Sequence, residues 1–113
     1  MNINRWRPSE YPSDYMIIAE FNNKIICFLH LSICYKLFDG GPFAWVEDLF
    51  VLKDFRGYKI GTRLIEFAKK LAKERECRVL RLIVGLDNLA GLRFYKQCGF
   101  KISKIGLATI KLG

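Results

Sequence analysis

The sequence is poor in the residues from which metal centres and disulfide frameworks are built. It has one histidine, His30, and four cysteines, Cys27, Cys34, Cys77 and Cys98, with no Cys-x-x-Cys pair. Zinc sites need Cys or His clustered at tight spacings, so no metal site is expected. Small buried thiols in a reducing compartment account for the cysteines, and His30, inside an apolar stretch, reads as structural. No uncharged apolar run reaches about 18 residues, which excludes a membrane-spanning helix. The start, Met1 to Pro8, has basic residues but no apolar segment after them, which argues against a signal peptide. The chain therefore reads as cytoplasmic, with no membrane partner. Neither the GxGxxG nor the GxxxxGK[ST] spacing occurs, so dinucleotide-fold and P-loop readings lose ground.

What is present is a chain of 113 residues, half of them apolar, enough for one domain with a packed core. Acidic residues are the minority, 11 against 19 Lys and Arg, for a net charge of +8. That balance suits an anionic ligand or partner. The denser basic patch from Lys69 to Arg81 fits a solvated helix face as well as a nucleic-acid footprint. No recognised nucleic-acid module is present, so no nucleic-acid partner is expected.

Residues 1–14 are polar and contain Pro8 and Pro12; an irregular lead-in is expected there, with a single domain over residues 15–113. Tyr15 to Phe21 and Ile25 to Tyr35 are rich in strand formers and flank Asn22-Asn23-Lys24, which predicts a hairpin. After the break at Asp39-Gly40-Gly41-Pro42, Trp45 to Leu52 reads as a central strand that carries Glu47 and Asp48 side by side. Beyond Arg56-Gly57 the period changes to helical, with Ile60, Leu64, Ile65, Ala68, Leu71 and Ala72 on one face. Val79 to Val84 reads as a strand, Asn88 to about Cys98 as a short helix ended by Gly99, and Phe100–Ser103 and Leu107–Leu112 as closing strands. The order predicts a mixed α/β (α+β) domain, with an antiparallel hairpin to one side and a right-handed strand–helix–strand crossover at the centre.

Two segments carry chemistry. Arg56-Gly57-Tyr58-Lys59-Ile60-Gly61-Thr62 joins a strand to a helix. Such a loop presents backbone N–H groups and the positive end of the helix dipole to an anion, best a phosphate. A plain tight turn would use the same residues. In the second segment, Asn88 to Phe100, Asn88 reads equally as an N-cap and Tyr95 as a core aromatic with a polar tip. Glu47 and Asp48 should point to opposite faces of their strand and so could not share one role. Two charges in an apolar central strand are costly if buried unpaired, which makes them candidates for function. A solvated strand end, or pairing with Lys or Arg, is the plainer account.

Together these segments resemble the GNAT superfamily of N-acetyltransferases. Its pattern is R/Q-x-x-G-x-G/A opening a helix, then a strand, then N-x-x-A-x-x-x-Y-x-x-x-G-F with small variations. Arg56 and Gly61 match the outer positions of the first motif, and Asn88, Tyr95, Gly99 and Phe100 match the second. Lys59 stands in place of the middle glycine. Val46 to Val51, Arg56 to Thr62 and Cys77 to Tyr95 look most like the diamine (spermidine/spermine and thialysine) acetyltransferases. The resemblance covers about residues 15–113 and implies a largely antiparallel GNAT-type sheet. That family usually begins with a strand and two helices that help wall the acceptor site; 14 residues cannot supply them, so an N-terminally truncated domain is expected.

The resemblance further implies acetyl-CoA as cosubstrate and a primary amine, polyamine or lysine-like, as acceptor. Backbone groups of Leu49, Phe50 and Val51 would hold the pantetheine arm, and Arg56, Gly57, Tyr58, Lys59, Ile60, Gly61 and Thr62 the pyrophosphate. Glu47 would take the amine proton, Asp48 would help bind the acceptor, Tyr95 would protonate the departing thiolate, and Asn88 would bond the cofactor or fix the splayed loop. The alternatives are a protein-lysine acetyltransferase and a non-catalytic CoA-binding or interaction module. Dimerisation would cover the surface that the missing helices normally shield.

Overall fold

The computed structural model describes residues 2–6, 13–35 and 41–113. The chain divides into two compact units, Met1–Ile83 and Val84–Gly113. The larger holds β1 (Asn2–Trp6), β2 (Asp14–Phe21), β3 (Lys24–Cys34), β4 (Phe43–Val51), a short 3-10 turn (Lys53–Phe55), α1 (Ile60–Glu74) and β5 (Leu80–Arg81); the smaller holds α2 (Leu89–Gln97). One sheet takes the order β1-β2-β3-β4-β5, antiparallel throughout except for the parallel pair β4–β5. With α1 between them, β4 and β5 form the expected strand–helix–strand crossover.

The β2–β3 hairpin turns on Asn22 and Asn23, both at positive φ (51° and 62°). That is the backbone of a two-residue I′ turn, and asparagine tolerates it better than most side chains. Strand alternation then sorts the faces. Tyr15, Ile17 and Ala19 of β2, Leu29, Leu31 and Ile33 of β3, and Ala44 and Val46 of β4 are buried on one side. α1 packs there against β2, β3 and β4, burying Ile60, Leu64, Ile65, Ala68, Leu71 and Ala72, the stripe expected from the sequence. The residues between them, such as Met16, Phe28, His30, Ser32 and Trp45, point to the opposite face and are partly exposed.

Three expectations are corrected. Residues 2–6 form a strand rather than an irregular lead-in, pairing with β2 from Asn2↔Glu20 to Trp6↔Met16. Asn-Ile-Asn-Arg-Trp has little of the composition of a strand, and the ladder offered by the edge of β2 decides its conformation. Pro8 and Pro12 lie outside the described residues. The strand expected over Val79–Val84 is reduced to Leu80–Arg81, because β4 offers it only Ala44 and Trp45 as partners. The closing strands expected at Phe100–Ser103 and Leu107–Leu112 are not formed. An apolar pattern becomes a strand only when a neighbour completes its hydrogen bonds, and Ile105, Leu107, Ile110 and Leu112 are 81–95% exposed.

The end of α1 is fastened to the sheet by Arg75, whose Nε donates to the Tyr15 hydroxyl at 2.8 Å while its guanidinium lies 5.6 Å from the ring centroid. Tyr15 is fully buried. Replacing it with phenylalanine keeps the ring and deletes the acceptor. Tyr15→Phe should therefore cost about 1–2 kcal/mol in urea unfolding, with an unchanged m-value.

Candidate functional site

The site begins at an irregularity in β4. Leu31 pairs with Val46 and His30 with Asp48, so Glu47 is an extra residue with no partner on β3. This is a β-bulge, and it interrupts the alternation of faces. Before it, Ala44 and Val46 are buried in the core; after it, Leu49 lies opposite Leu29 and Phe50 opposite Phe28. The expectation that Glu47 and Asp48 point to opposite faces is therefore corrected. Asp48 lies opposite His30, and the Ser32 hydroxyl donates to Glu47 Oε1 at 3.3 Å, so both carboxylates belong to the face away from α1. Both are exposed, and the burial cost that first singled them out does not arise.

His30 was read as structural, yet it stands in this cluster. Its Nε2 bonds Asp14 Oδ1 at 2.9 Å, with the side chains 31% and 39% exposed, and Ser13 Oγ donates to the other oxygen of Asp14 at 3.1 Å. The turn at Asn22-Asn23 does not foretell this meeting: the β2–β3 ladder shifts by one residue between Ala19 and Glu20, and only beyond that shift does Asp14 lie opposite Ser32, diagonal to His30 on one face. Aromatic pairs flank the polar group: Phe43 with Trp45 at 5.8 Å, and Phe28 with Phe50 at 5.9 Å. Arg81 lies over Phe43 and Arg56 over Phe50.

Beyond Trp45 the side of β4 away from β3 has no paired strand among the described residues. The backbone of Leu49, Phe50 and Val51 thus runs along an open edge, able to receive an extended ligand by β-like pairing. At its end, Arg56 Nε donates to the Val51 carbonyl at 3.0 Å and ties the strand to the loop before α1. In that loop Gly57 has φ +87°, where a side chain would be strained, and Tyr58 is exposed. Lys59 has φ 60° and ψ 23°, the left-handed region, and caps α1 without a side-chain hydrogen bond. The first helical bond runs from Arg63 N–H to the Lys59 carbonyl at 3.1 Å. The N–H groups of Ile60, Gly61 and Thr62 therefore lie ahead of the helical ladder, where the dipole favours an anion.

In the smaller unit Asn88 is the N-cap of α2: its Oδ1 accepts from Gly91 N–H at 3.0 Å. The other end closes at Gly99, with φ +100°. Gly99 N–H bonds the Lys96 carbonyl, and Phe100 N–H bonds the Tyr95 carbonyl, both at 3.0 Å. That is the Schellman pattern, and the ring contact that usually accompanies it joins Tyr95 to Phe100 at 5.8 Å. Burial, with a smaller effect from Cys98, raises the Tyr95 hydroxyl above its ordinary range, so it keeps its proton through neutral pH. The thiols give no comparable chemistry: burial pushes Cys27 up to about 11 and also raises Cys77.

The acetyltransferase (GNAT) family model matches residues 2–100. An uncharacterised N-acetyltransferase of Methanocaldococcus jannaschii is 33% identical over 93 residues, which is 81% of this chain and 41% of that one. Another, of Archaeoglobus fulgidus, is 34% identical over 83 residues, 73% of this chain and 56% of that one. The chain thus spans about half the length of these relatives. Among solved structures, a transcriptional regulator from Bacillus halodurans superposes with a TM-score of 0.83 at 30% identity, covering 90% of this chain and 69% of that one.

The loop geometry predicts the effect of the lysine. A left-handed non-glycine residue is strained by roughly 1 kcal/mol. Lys59→Gly should therefore raise stability by up to about 1 kcal/mol in chemical denaturation, less the entropy glycine adds to the unfolded chain.

Proposed function

Because the chain belongs to the acetyltransferase (GNAT) family, we propose that it transfers an acetyl group from acetyl-CoA to a primary amine of the polyamine or lysine-like kind. The observation that carries this reading is the bulge of β4, which sets Glu47 and Asp48 on one exposed face beside an open backbone edge. Bound acetyl-CoA would supply an activated acyl group. The open edge at Leu49 to Val51 suits its pantetheine arm, and the N–H groups at Ile60, Gly61 and Thr62 suit its pyrophosphate.

An alkylamine with a pKa of about 10.4 is almost wholly protonated at neutral pH and cannot attack in that form. Glu47, exposed and steadied by Ser32, is suited to accept the proton directly or through water. Asp48 would hold the cation in place. Tyr95, whose proton is retained, would serve as the general acid, and Asn88 would fix the entry to α2. A lysine on a protein is the second acceptor to consider, because the carboxylate face is exposed and a macromolecule could reach it. Cytoplasmic location and a homodimer belong to the same proposal. The exposed apolar side chains between Ile105 and Leu112 support association, and sedimentation as a monomer at working concentration would remove it.

Isothermal titration of acetyl-CoA, followed by thiol-release assays on small amines and lysine peptides, tests the reading. Binding with turnover supports an acetyltransferase and ranks the two acceptor kinds. Binding without turnover points to a non-catalytic CoA-binding module, and absence of binding overturns the assignment. Glu47→Gln should lower kcat/KM by about 10²–10⁴-fold, most severely at low pH, where the amine is hardest to deprotonate. Tyr95→Phe should slow kcat about tenfold or more at unchanged CoA affinity. In the parent enzyme the alkaline limb due to Tyr95 should lie above the ordinary tyrosine range, since the shift is upward and the acid form is the active one. Full activity of the phenylalanine variant would take the tyrosine out of the mechanism.

A further inference from the structure

The Asp14–His30 pair has no part in the reaction just described, yet it shares a sheet face with both of its carboxylates. His30 lies directly across the β3–β4 ladder from Asp48, and its ring is held by Asp14 from the other side at 2.9 Å. Directly opposed residues have Cβ atoms only about 5 Å apart. A carboxylate can only accept, so the Nε2 that meets Asp14 carries a proton in either charge state, and the ring gains its charge at Nδ1. Among the described residues, the titratable groups that face His30 are Asp14 from β2 and Asp48 and Glu47 from β4, with Cys34 farther along β3. The cations at the two ends of the β4 face are Arg81 over Phe43 and Arg56 over Phe50.

We propose that His30 determines specificity by setting the charge of the acceptor face. A neutral ring leaves the Glu47–Asp48 pair to hold a cationic acceptor. A protonated ring supplies a positive charge from within the protein, at the place where a second ammonium group of the acceptor would sit. Doubly charged amines then lose affinity once the ring takes up its proton, while singly charged ones, needing only one carboxylate, lose less. This inference rests on the acceptor site assigned above. Its physical basis is the cross-strand placement of an imidazole between two carboxylates, Asp14 and Asp48, the second of which the proposal above gives to the acceptor.

His30 is the sole histidine of the chain, so its ring proton resonances can be followed by NMR without assignment. Binding linkage is reciprocal: a dication that prefers the neutral ring must make the ring harder to protonate. Saturating 1,4-diaminobutane should move the His30 titration midpoint to lower pH, and butylamine at the same concentration should move it less. In steady-state assays with saturating acetyl-CoA, the ratio of KM for 1,4-diaminobutane to KM for butylamine should rise about tenfold between pH 8 and pH 5.5. In His30→Gln that ratio should no longer depend on pH. A midpoint that the diamine leaves in place, or a glutamine variant that keeps the parental pH dependence of the ratio, would overturn the proposal. If the midpoint moves but neither amine is acetylated, the charge-setting role stands and the acetyl-transfer reading fails. If both amines are acetylated while the midpoint stays put, the reverse holds.

Discussion

A single unpaired residue in β4 governs the arrangement of everything around it. Up to Val46 the strand alternates in step with β3, with its apolar side chains against α1. At Glu47 one residue is left over, and the two carboxylates emerge on the same side of the sheet. The ladder to β5 ends just before this point, at Trp45↔Arg81. A bulged strand bends and twists more strongly than its neighbours, and the β4–β5 ladder ends just ahead of the bulge. Carboxylates, open edge and the end of the β5 ladder thus adjoin one irregularity of the backbone.

The motif residues have conformational reasons as well as chemical ones. The position of the phosphate loop held by glycine in the family pattern is left-handed here, at Lys59, so the glycine preference there reflects backbone shape. Gly99 and Phe100 close α2 by the Schellman pattern, which fixes the carbonyl and the ring of Tyr95 together. Asn88 performs the corresponding service at the start of the helix. A pattern such as N-x-x-G-x-x-x-Y-x-x-x-G-F thus describes one short helix with both ends specified, and the tyrosine hydroxyl is carried by it.

Elements with strong local signals were legible in the sequence. The hairpin at Asn22-Asn23, the apolar stripe of α1 and the capped helix α2 all follow from turn chemistry, period or caps. What escaped the sequence depended on partners distant along the chain. β1 forms because β2 offers it an edge, β5 stops where its ladder with β4 ends at Trp45↔Arg81, and the segment after Phe100 stays unpaired although its composition suits a strand. The bulge was hidden for the same reason, since its single leftover residue becomes visible only when β3 is laid beside β4. The loop before α1, the two carboxylates and Tyr95 could be named from their motifs. The role of His30 could not, because an isolated histidine among apolar residues carries no mark of the aspartate it meets across a strand.

The bulge also has a bearing on how this chain can change over generations. Substitutions along β4 alter one side chain at a time, but a deletion between Val46 and Leu49 would restore strict alternation and leave a single carboxylate opposite His30. An insertion there would throw Leu49 and Phe50 onto each other's faces. The segment is therefore far less forgiving of altered length than of altered spelling.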